Sequence, residues 1–221
     1  MDLLTRRWRA DCRGAVPAAD PGAVDAVGAN LLTRWREPHR AYHDPLHLAE
    51  VLAAVDTLCA AERPATPGAH PVAVLAGWFH DVVYDADPAP DAGNEVASAD
   101  LARHSLVRLG ADDELTDRVV TVVLDTIAHD VPPDGADEAR AVFHDADLWV
   151  LAAPVARFDE YCQQVRQEYG HVTSAEFAAA RAAVLRPFLV RPHVYLTDHA
   201  QREWEPVARE NLARELTRLA G

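Results

Sequence analysis

Apolar residues recur at steps of three and four along most of the chain, the spacing that places them on one face of an α-helix. In one such segment the apolar positions are Val24, Val27, Leu31 and Trp35. The pattern predicts helices over residues 3–13, 20–35, 44–63, 71–84, 94–109, 113–128, 137–151, 154–169, 173–188 and 205–219. The alternation of apolar and polar residues that is typical of β-strands is absent from the sequence. We therefore predict an all-α protein.

Several of these helices carry terminal signals. Asp44 followed by Pro45 is a typical N-cap with proline at the first helical position. Thr173 and Glu176 have the spacing of a capping box, and Gly110 is placed to end a helix. These residues predict helix boundaries independently of the apolar pattern.

Composition narrows the class of protein. A chain of 221 residues, 49% of them hydrophobic, can form one domain with a large core, so we expect a single domain over residues 1–221. The net charge of -14 argues against duplex nucleic acid as the main partner, because such binding depends on Lys and Arg neutralising phosphates. The sequence contains no lysine, and its Ala, Arg, Pro and Asp content suggests GC-rich coding and a bacterial source.

Targeting signals are also missing from the sequence. The first residues lack the apolar core of a signal peptide, and no apolar run approaches the length of a membrane span. The cysteines are odd in number and far apart, at Cys12, Cys59 and Cys162, which does not suit a disulfide framework. We expect a cytoplasmic protein without membrane association.

The candidate chemistry centres on residues 76–85, AGWFHDVVYD, where His80 and Asp81 stand side by side in an apolar helical segment. Both side chains would lose hydration on burial, so each needs compensation. A metal ion would supply it. The alternative is a salt-bridged pair within the core.

Two further stretches carry residues that suit a metal site. AYHDPLH contains His43 and His47, and HDADLWVL contains Asp145 and Asp147. His47 shares a helix face with apolar residues, so we expect it to point into the core. Two imidazoles and two carboxylates suit Mn, Fe, Co, Ni, Mg or Zn without choosing among them, and they leave positions for water or substrate.

The motifs YHDPLH, FHDVVYD, NEVASA, AHD, DADLWVL and ARENLAREL occur in this order within residues 35–216. Together they resemble the bacterial metal-dependent HD-domain proteins that are regarded as predicted phosphohydrolases. The resemblance implies an HD-domain helical bundle. It also implies a metal-dependent hydrolase acting on a nucleotide or another small phosphate ester or anhydride, with one divalent ion or two.

The resemblance also implies roles for particular residues. The metal ligands would be His47, His80, Asp81 and Asp147. Asp145 would lie outside the ligand set, or would exchange roles with Asp147 if the register of that motif differs.

The catalytic residues implied by the resemblance are His43, Asp81 and Glu95. In cyclic nucleotide phosphodiesterases, a related group, the first histidine of a similar stretch donates a proton, which makes His43 the general acid here. Asp81 would bridge to a second ion. Glu95 would orient a water or a histidine, or it is an exposed glutamate in the first turn of a helix.

Substrate binding is expected at Arg40, Tyr42, His129 and Asp130. Arg40 would bind phosphate through two hydrogen bonds, and the alternative is a solvated loop arginine. For His129 the alternative is a cap at the C-terminus of its helix.

Two other classes of function remain open. HD-type folds also include di-iron oxygenases, which need further histidine ligands, and His104, His129 and His144 are the candidates. A regulatory module that binds metal and nucleotide without turnover is the other class. The sequence does not identify the substrate or the oligomeric state.

Overall fold

The computed structural model describes residues 2–64, 66–86, 93–129 and 137–221. Over these residues the chain forms α-helices and one short 3₁₀ helix, with no strand, which confirms the all-α prediction. The helices are α1 (Leu3–Ala15), α2 (Pro21–Trp35), α3 (Pro45–Glu62), α4 (Ala69–Phe79), α5 (Asn94–Leu109), α6 (Asp113–Asp125), α7 (Glu138–Asp147), α8 (Val155–Glu168), α9 (Ser174–Val190), α10 (Asp198–Glu203) and α11 (Glu205–Ala220). The 3₁₀ helix, Leu148–Ala152, follows α7 directly. None of the described helices has both the length and the apolar character needed to cross a bilayer.

The predicted terminal signals form the expected contacts. The Asp44 carboxylate accepts hydrogen bonds from the backbone N–H groups of Leu46 and His47, at the start of α3. Thr173 and Glu176 form a reciprocal capping box at the start of α9. Gly110 ends α5 with φ of 80°, a conformation that glycine adopts without steric cost.

The largest differences from the prediction concern the ends of α4 and α7 and one additional short helix. α4 ends at Phe79 rather than at residue 84, because Val82 N–H donates to the Phe79 carbonyl in a turn and Val83 N–H donates to Ser98 Oγ. α7 ends at Asp147, where the backbone tightens into the 3₁₀ helix. The short helix α10 was not predicted, because six residues are too few to show a helical period.

The most buried helix is α4, in which every residue from Val72 to Phe79 is buried. A helix that is apolar on all sides must be surrounded by others. α3, α6 and α7 pack against it. The C-terminal end of α4, where His80 and Asp81 follow, therefore lies deep in the molecule.

Three tryptophans hold α1 and α2 against that end of α4. The rings of Trp8 and Trp78 meet edge to face with centroids 5.3 Å apart, and Trp35 Nε1 donates to the Trp78 carbonyl at 3.1 Å. The Trp8 ring of α1 can pack closely against α2 because residue 28 is glycine. A Cβ atom at Gly28 would lie 2.3 Å from that ring. These contacts fix the backbone that leads into His80.

Candidate metal centre

The four residues expected to bind metal come from three separate parts of the fold. His47 lies in the first turn of α3, and Asp147 is the last residue of α7. His80 and Asp81 follow α4 in a turn, not within a helix as the sequence predicted. Because α3 and α4 both pack against α7, the three parts converge.

The ligand atoms of His47, His80 and Asp147 form a tight group. The two Nε2 atoms lie 3.1 Å apart, and Asp147 Oδ1 lies 3.5 Å from that of His47 and 3.4 Å from that of His80. Bonds of about 2.0–2.2 Å to one ion place neighbouring ligand atoms about 3–3.5 Å apart. These three atoms could therefore hold one metal ion.

Asp81 borders this group. Its Oδ2 atom lies 3.2 Å from His80 Nε2 and 3.7 Å from His47 Nε2. The same Oδ2 atom lies 3.8 Å from His43 Nε2. Asp81 therefore neighbours both the metal-binding group and the histidine expected to donate a proton.

The tautomer of His80 is set by its backbone contact. Its Nδ1 lies 3.0 Å from the Gly77 carbonyl, which can only accept, so Nδ1 carries hydrogen. The rings of Trp35 and Phe143 pack around the imidazole at centroid distances of 5.5 and 5.4 Å. The other nitrogen of His80, Nε2, faces His47 Nε2 at 3.1 Å, so a hydrogen on His80 or a bound cation can lie between the two rings.

The electrostatics of the group favour a cation. Burial acts to raise the pKa of Asp147, but the charge of His80 outweighs it and lowers that pKa to about 2. Burial likewise opposes ionisation of Asp81, and the charges of His80 and His43 hold its pKa well below the ordinary value. Burial lowers the pKa of His47. At neutral pH these residues are therefore in the forms that bind metal, two carboxylates and a neutral imidazole.

His43 is held beside the group by a buried carboxylate. Its Nδ1 donates to Glu168 Oε2 at 2.8 Å, and its ring stacks on Tyr84 with centroids 4.0 Å apart. The opposite nitrogen, Nε2, is the one that lies near Asp81. This arrangement leaves Nε2 available to a substrate.

Glu168 is a site residue that the sequence analysis missed. Its Oε1 accepts the backbone N–H groups of Ala41, Tyr42 and His43, and its Oε2 also accepts the Tyr84 hydroxyl. Burial acts to raise the pKa of Glu168, but these hydrogen bonds and the charge of His43 lower it to about 2.

A signal for Glu168 was present in the sequence. The buried residues of α8 are Phe158, Tyr161, Cys162, Val165 and Glu168, so the glutamate continues an apolar helix face. A carboxylate in such a position needs buried donors. The sequence could not show that those donors lie 84 to 127 residues away.

Asp145 is bound elsewhere. Its carboxylate accepts hydrogen bonds from the backbone N–H groups of Leu196 and Thr197, from the Thr197 hydroxyl and from His144 Nδ1, at 2.7 to 3.0 Å. These donors account for a residue that is fully buried. The geometry therefore favours Asp147 over Asp145 as the metal-binding aspartate of this motif.

The expectation that Arg40 binds substrate phosphate needs correction. Its guanidinium donates to the carbonyls of His43, Asp81 and Val82 and to the Glu37 carboxylate. The side chain has no exposed surface. Arg40 is therefore neither the phosphate ligand nor the solvated loop residue that the sequence suggested. Arg40 instead ties the loop before α3 to the turn after α4.

A cavity of about 200 Å³ opens beside the metal-binding group. Its polar lining includes Tyr42, His43, His47, Asp81, Glu95, His129 and Asp147. A second wall is mainly apolar and comes from the 3₁₀ helix and α9, with Leu148, Val150, Leu151, Val184, Leu185 and Phe188. The cavity can accept a small molecule with a polar end at the cluster and an apolar part against α9.

The other predicted substrate residues differ in position. The Tyr42 ring packs on His47 with centroids 4.6 Å apart. His129 adopts φ of 46°, uncommon for a residue with a side chain, and its Nε2 lies 3.9 Å from Asp147 Oδ2. Its ring therefore faces the cluster rather than capping α6. Asp130 lies outside the described residues.

The histidines that a di-iron centre would need are only partly assembled. His129 lies beside Asp147, as described above. His104 is exposed on α5, where its Nδ1 contacts the Asp100 carbonyl, and His144 contacts Asp145. His104 is therefore absent from the cavity lining and His144 is committed to the core.

Comparison of the chain with protein-family profiles and with curated protein sequences gives no match.

Proposed function

We propose that the protein is a metal-dependent phosphohydrolase of the HD-domain superfamily that acts on a small phosphate ester or anhydride. One observation carries the proposal. His47, Asp81 and Asp147 line the same cavity as the imidazole of His43, and the buried His80 lies directly behind them. Hydrolysis of a phosphate ester needs a site that stabilises phosphoryl charge and a proton donor for the leaving group, side by side.

A divalent cation held by this group would stabilise charge on the phosphoryl oxygens and lower the pKa of a coordinated water. His43 would supply the proton for the leaving group. As water attacks phosphorus, the bond from phosphorus to the leaving oxygen breaks and that oxygen takes the proton from His43 Nε2. The proton of the attacking water leaves to solvent through the open cavity, because the pKa of Asp81 lies well below the ordinary value and 3.8 Å separates its Oδ2 from His43 Nε2, beyond hydrogen-bond reach.

Glu168 prepares His43 for this step. The 2.8 Å hydrogen bond to Nδ1 holds the ring with Nε2 toward the cavity, and three backbone N–H groups hold the carboxylate in turn. A general acid must lie within hydrogen-bond reach of its target, so a fixed ring orientation contributes directly to the rate. We expect Glu168 to act as a positioning residue.

The test is metal analysis of the purified protein, followed by a phosphate-release screen with Mn, Fe, Co, Ni, Mg and Zn. Nucleotides, sugar phosphates and aryl phosphates are the substrates to screen. Release of phosphate that requires one of these ions and is lost in His47→Ala is the expected result. A metal-loaded protein that hydrolyses none of them would overturn the proposal.

Two arms of the same experiment address the other classes of function. Oxygen consumption by the iron-loaded protein, without phosphate release, would indicate an oxygenase. Tight nucleotide binding without turnover across all the ions would indicate a regulatory module.

A further inference from the structure

Arg181, on α9, places a cation in the wall of the cavity. One of its terminal nitrogens donates to the Tyr161 hydroxyl, and its guanidinium carbon lies 5.0 Å from the centre of the Tyr161 ring. A guanidinium has five N–H donors, and the part of the chain that the structure describes supplies an acceptor for one of them. Within the same described residues, no carboxylate pairs with Arg181.

Other partly buried arginines of the protein do have carboxylate partners. Arg157 pairs with Glu50, and Arg140 pairs with Asp125, each at 2.6 Å. The chain has 35 acidic residues against 21 arginines, so partners for a guanidinium are plentiful. Arg181 has no such direct partner: the charge of Glu215 acts on it, but no salt bridge of the described residues joins the two, and a cation partly removed from water without a direct partner costs free energy. An anionic ligand in the cavity would offset that cost at Arg181.

Arg181 does not lie at the metal-binding group itself. Two tyrosine rings stand between them: Tyr42 packs on His47, the Tyr161 ring lies 4.5 Å from that of Tyr42, and Arg181 packs on Tyr161. The guanidinium makes no salt bridge with Asp81 or Asp147. Arg181 is thus in the wall of the same cavity but outside the contacts of the metal-binding group, which makes it available to an anion other than the phosphoryl group bound there.

We propose that Arg181 binds a second anionic group of the substrate. This inference rests on the proposed function and names the substrate class as a phosphoric ester or anhydride that carries another phosphate or a carboxylate at its far end. The apolar side chains of Leu185 and Phe188 line the same cavity and suit an apolar spacer between the two anions.

The experiment measures binding by calorimetry with three stable phosphonates in the presence of saturating Mn²⁺. Phenylphosphonate carries one anionic group, whereas 4-carboxyphenylphosphonate and benzene-1,4-bisphosphonate carry a second one across an apolar ring. We expect the wild type to bind at least one of the latter two about tenfold more tightly than phenylphosphonate, the scale of a charged hydrogen bond. The tighter of the two identifies the second group as carboxylate or phosphate.

Arg181→Met should bring that affinity ratio close to one, and Arg181→Lys should retain part of it because the charge remains. Arg186→Met is the matched control, since it removes an exposed arginine from the same helix and should leave the ratio unchanged. Thermal unfolding of each variant checks the fold. The Arg181→Lys result keeps the test valid if Arg181→Met is poorly folded.

A wild type that binds the three phosphonates equally, or none of them, would overturn the inference. Equal weakening of all three in both Arg181 variants would do the same. This binding experiment can fail or succeed independently of the proposed function, because the proposed function is tested by phosphate release. An Arg181-dependent ratio without any turnover would retain the anion site and reject the hydrolase.

Discussion

Among the described residues, two adjacent His-Asp pairs lie in the core: His80 with Asp81 in the turn after α4, and His144 with Asp145 in the last turns of α7. In the second pair the carboxylate accepts two backbone N–H groups, a hydroxyl and its own histidine, so its hydrogen-bonding capacity is used within the protein. In the first pair the side chains face another histidine and another carboxylate. The supply of protein donors, rather than the dipeptide itself, therefore separates a core contact from a candidate metal site.

The pair formed by His43 and Glu168 combines both patterns. Backbone donors satisfy one oxygen of the carboxylate, as in Asp145, while the histidine keeps one nitrogen toward the cavity, as in His80. Its partners come from distant parts of the chain. Of the three pairs, His43 with Glu168 is the one suited to proton transfer, because its imidazole is held in place while Nε2 can release a proton.

The largest effect is expected when a histidine of the first pair is removed. His80→Ala should lower metal affinity at least about a thousandfold, because even loss of a partner outside the ligand shell costs about 10- to 100-fold. His144→Ala is the matched control and should keep the metal. Metal content after dialysis and titration with Mn²⁺ measure both variants. Equal loss of metal in the two would remove the distinction between the pairs.

The pair of His144 and Asp145 should instead contribute mainly to the free energy of unfolding. Asp145→Ala leaves its buried donors without an acceptor, so we expect the free energy of unfolding to fall by about 3–5 kcal/mol. Urea unfolding of the metal-free protein is the measurement. Asp147→Asn, two residues along α7, should cost far less in that assay while lowering metal affinity. The reverse pattern would assign the metal to Asp145.

Glu168 should make stability depend on pH in acid. Its pKa is about 2 in the folded protein and 4.5 ordinarily, so its contribution is complete above 4.5 and is lost as the pH falls toward 2. The difference corresponds to roughly 3 kcal/mol. Unfolding free energies of the metal-free wild type should therefore fall more steeply over this range than those of Glu168→Gln. Parallel curves would contradict the assignment.

His43→Ala should leave metal content near normal and lower turnover of alkyl phosphates about a hundredfold, the usual scale for loss of a general acid. The defect should shrink on a nitrophenyl phosphate, whose leaving group departs without a proton. His47→Ala should be inactive on both esters. Loss of metal in His43→Ala, or equal defects on the two esters, would make His43 a ligand or a structural residue.

Local signals in the sequence were sufficient for much of the fold. Helical spacing and the caps at Asp44, Thr173 and Gly110 predicted the elements, because each depends on residues a few positions apart. The end of α4 was placed five residues too late, at residue 84 instead of Phe79. The turn that ends it depends on Ser98 and Arg40, which are remote in sequence.

The sequence predicted only those residues of the candidate site that belong to recognisable motifs. His47, His80, Asp81 and Asp147 come together as the resemblance implied. Glu168 carries no motif, and its contact with His43 depends on how α8 packs. The roles of such residues are set by tertiary contacts, which spacing along the chain does not encode.

The position of Trp35 has an optical consequence. Its indole lies 5.5 Å from the His80 imidazole and 6.2 Å from that of His47. Burial acts to lower the pKa of His80, but the charges of Asp81 and Asp147 raise it well above the ordinary value, so the ring is protonated without metal. An imidazolium quenches indole fluorescence by accepting an excited electron, and Zn²⁺ is redox-inert. Titration with Zn²⁺ should therefore increase the emission of Trp35, and Trp35→Phe should abolish that increase, so that the protein carries its own fluorescent reporter of metal occupancy.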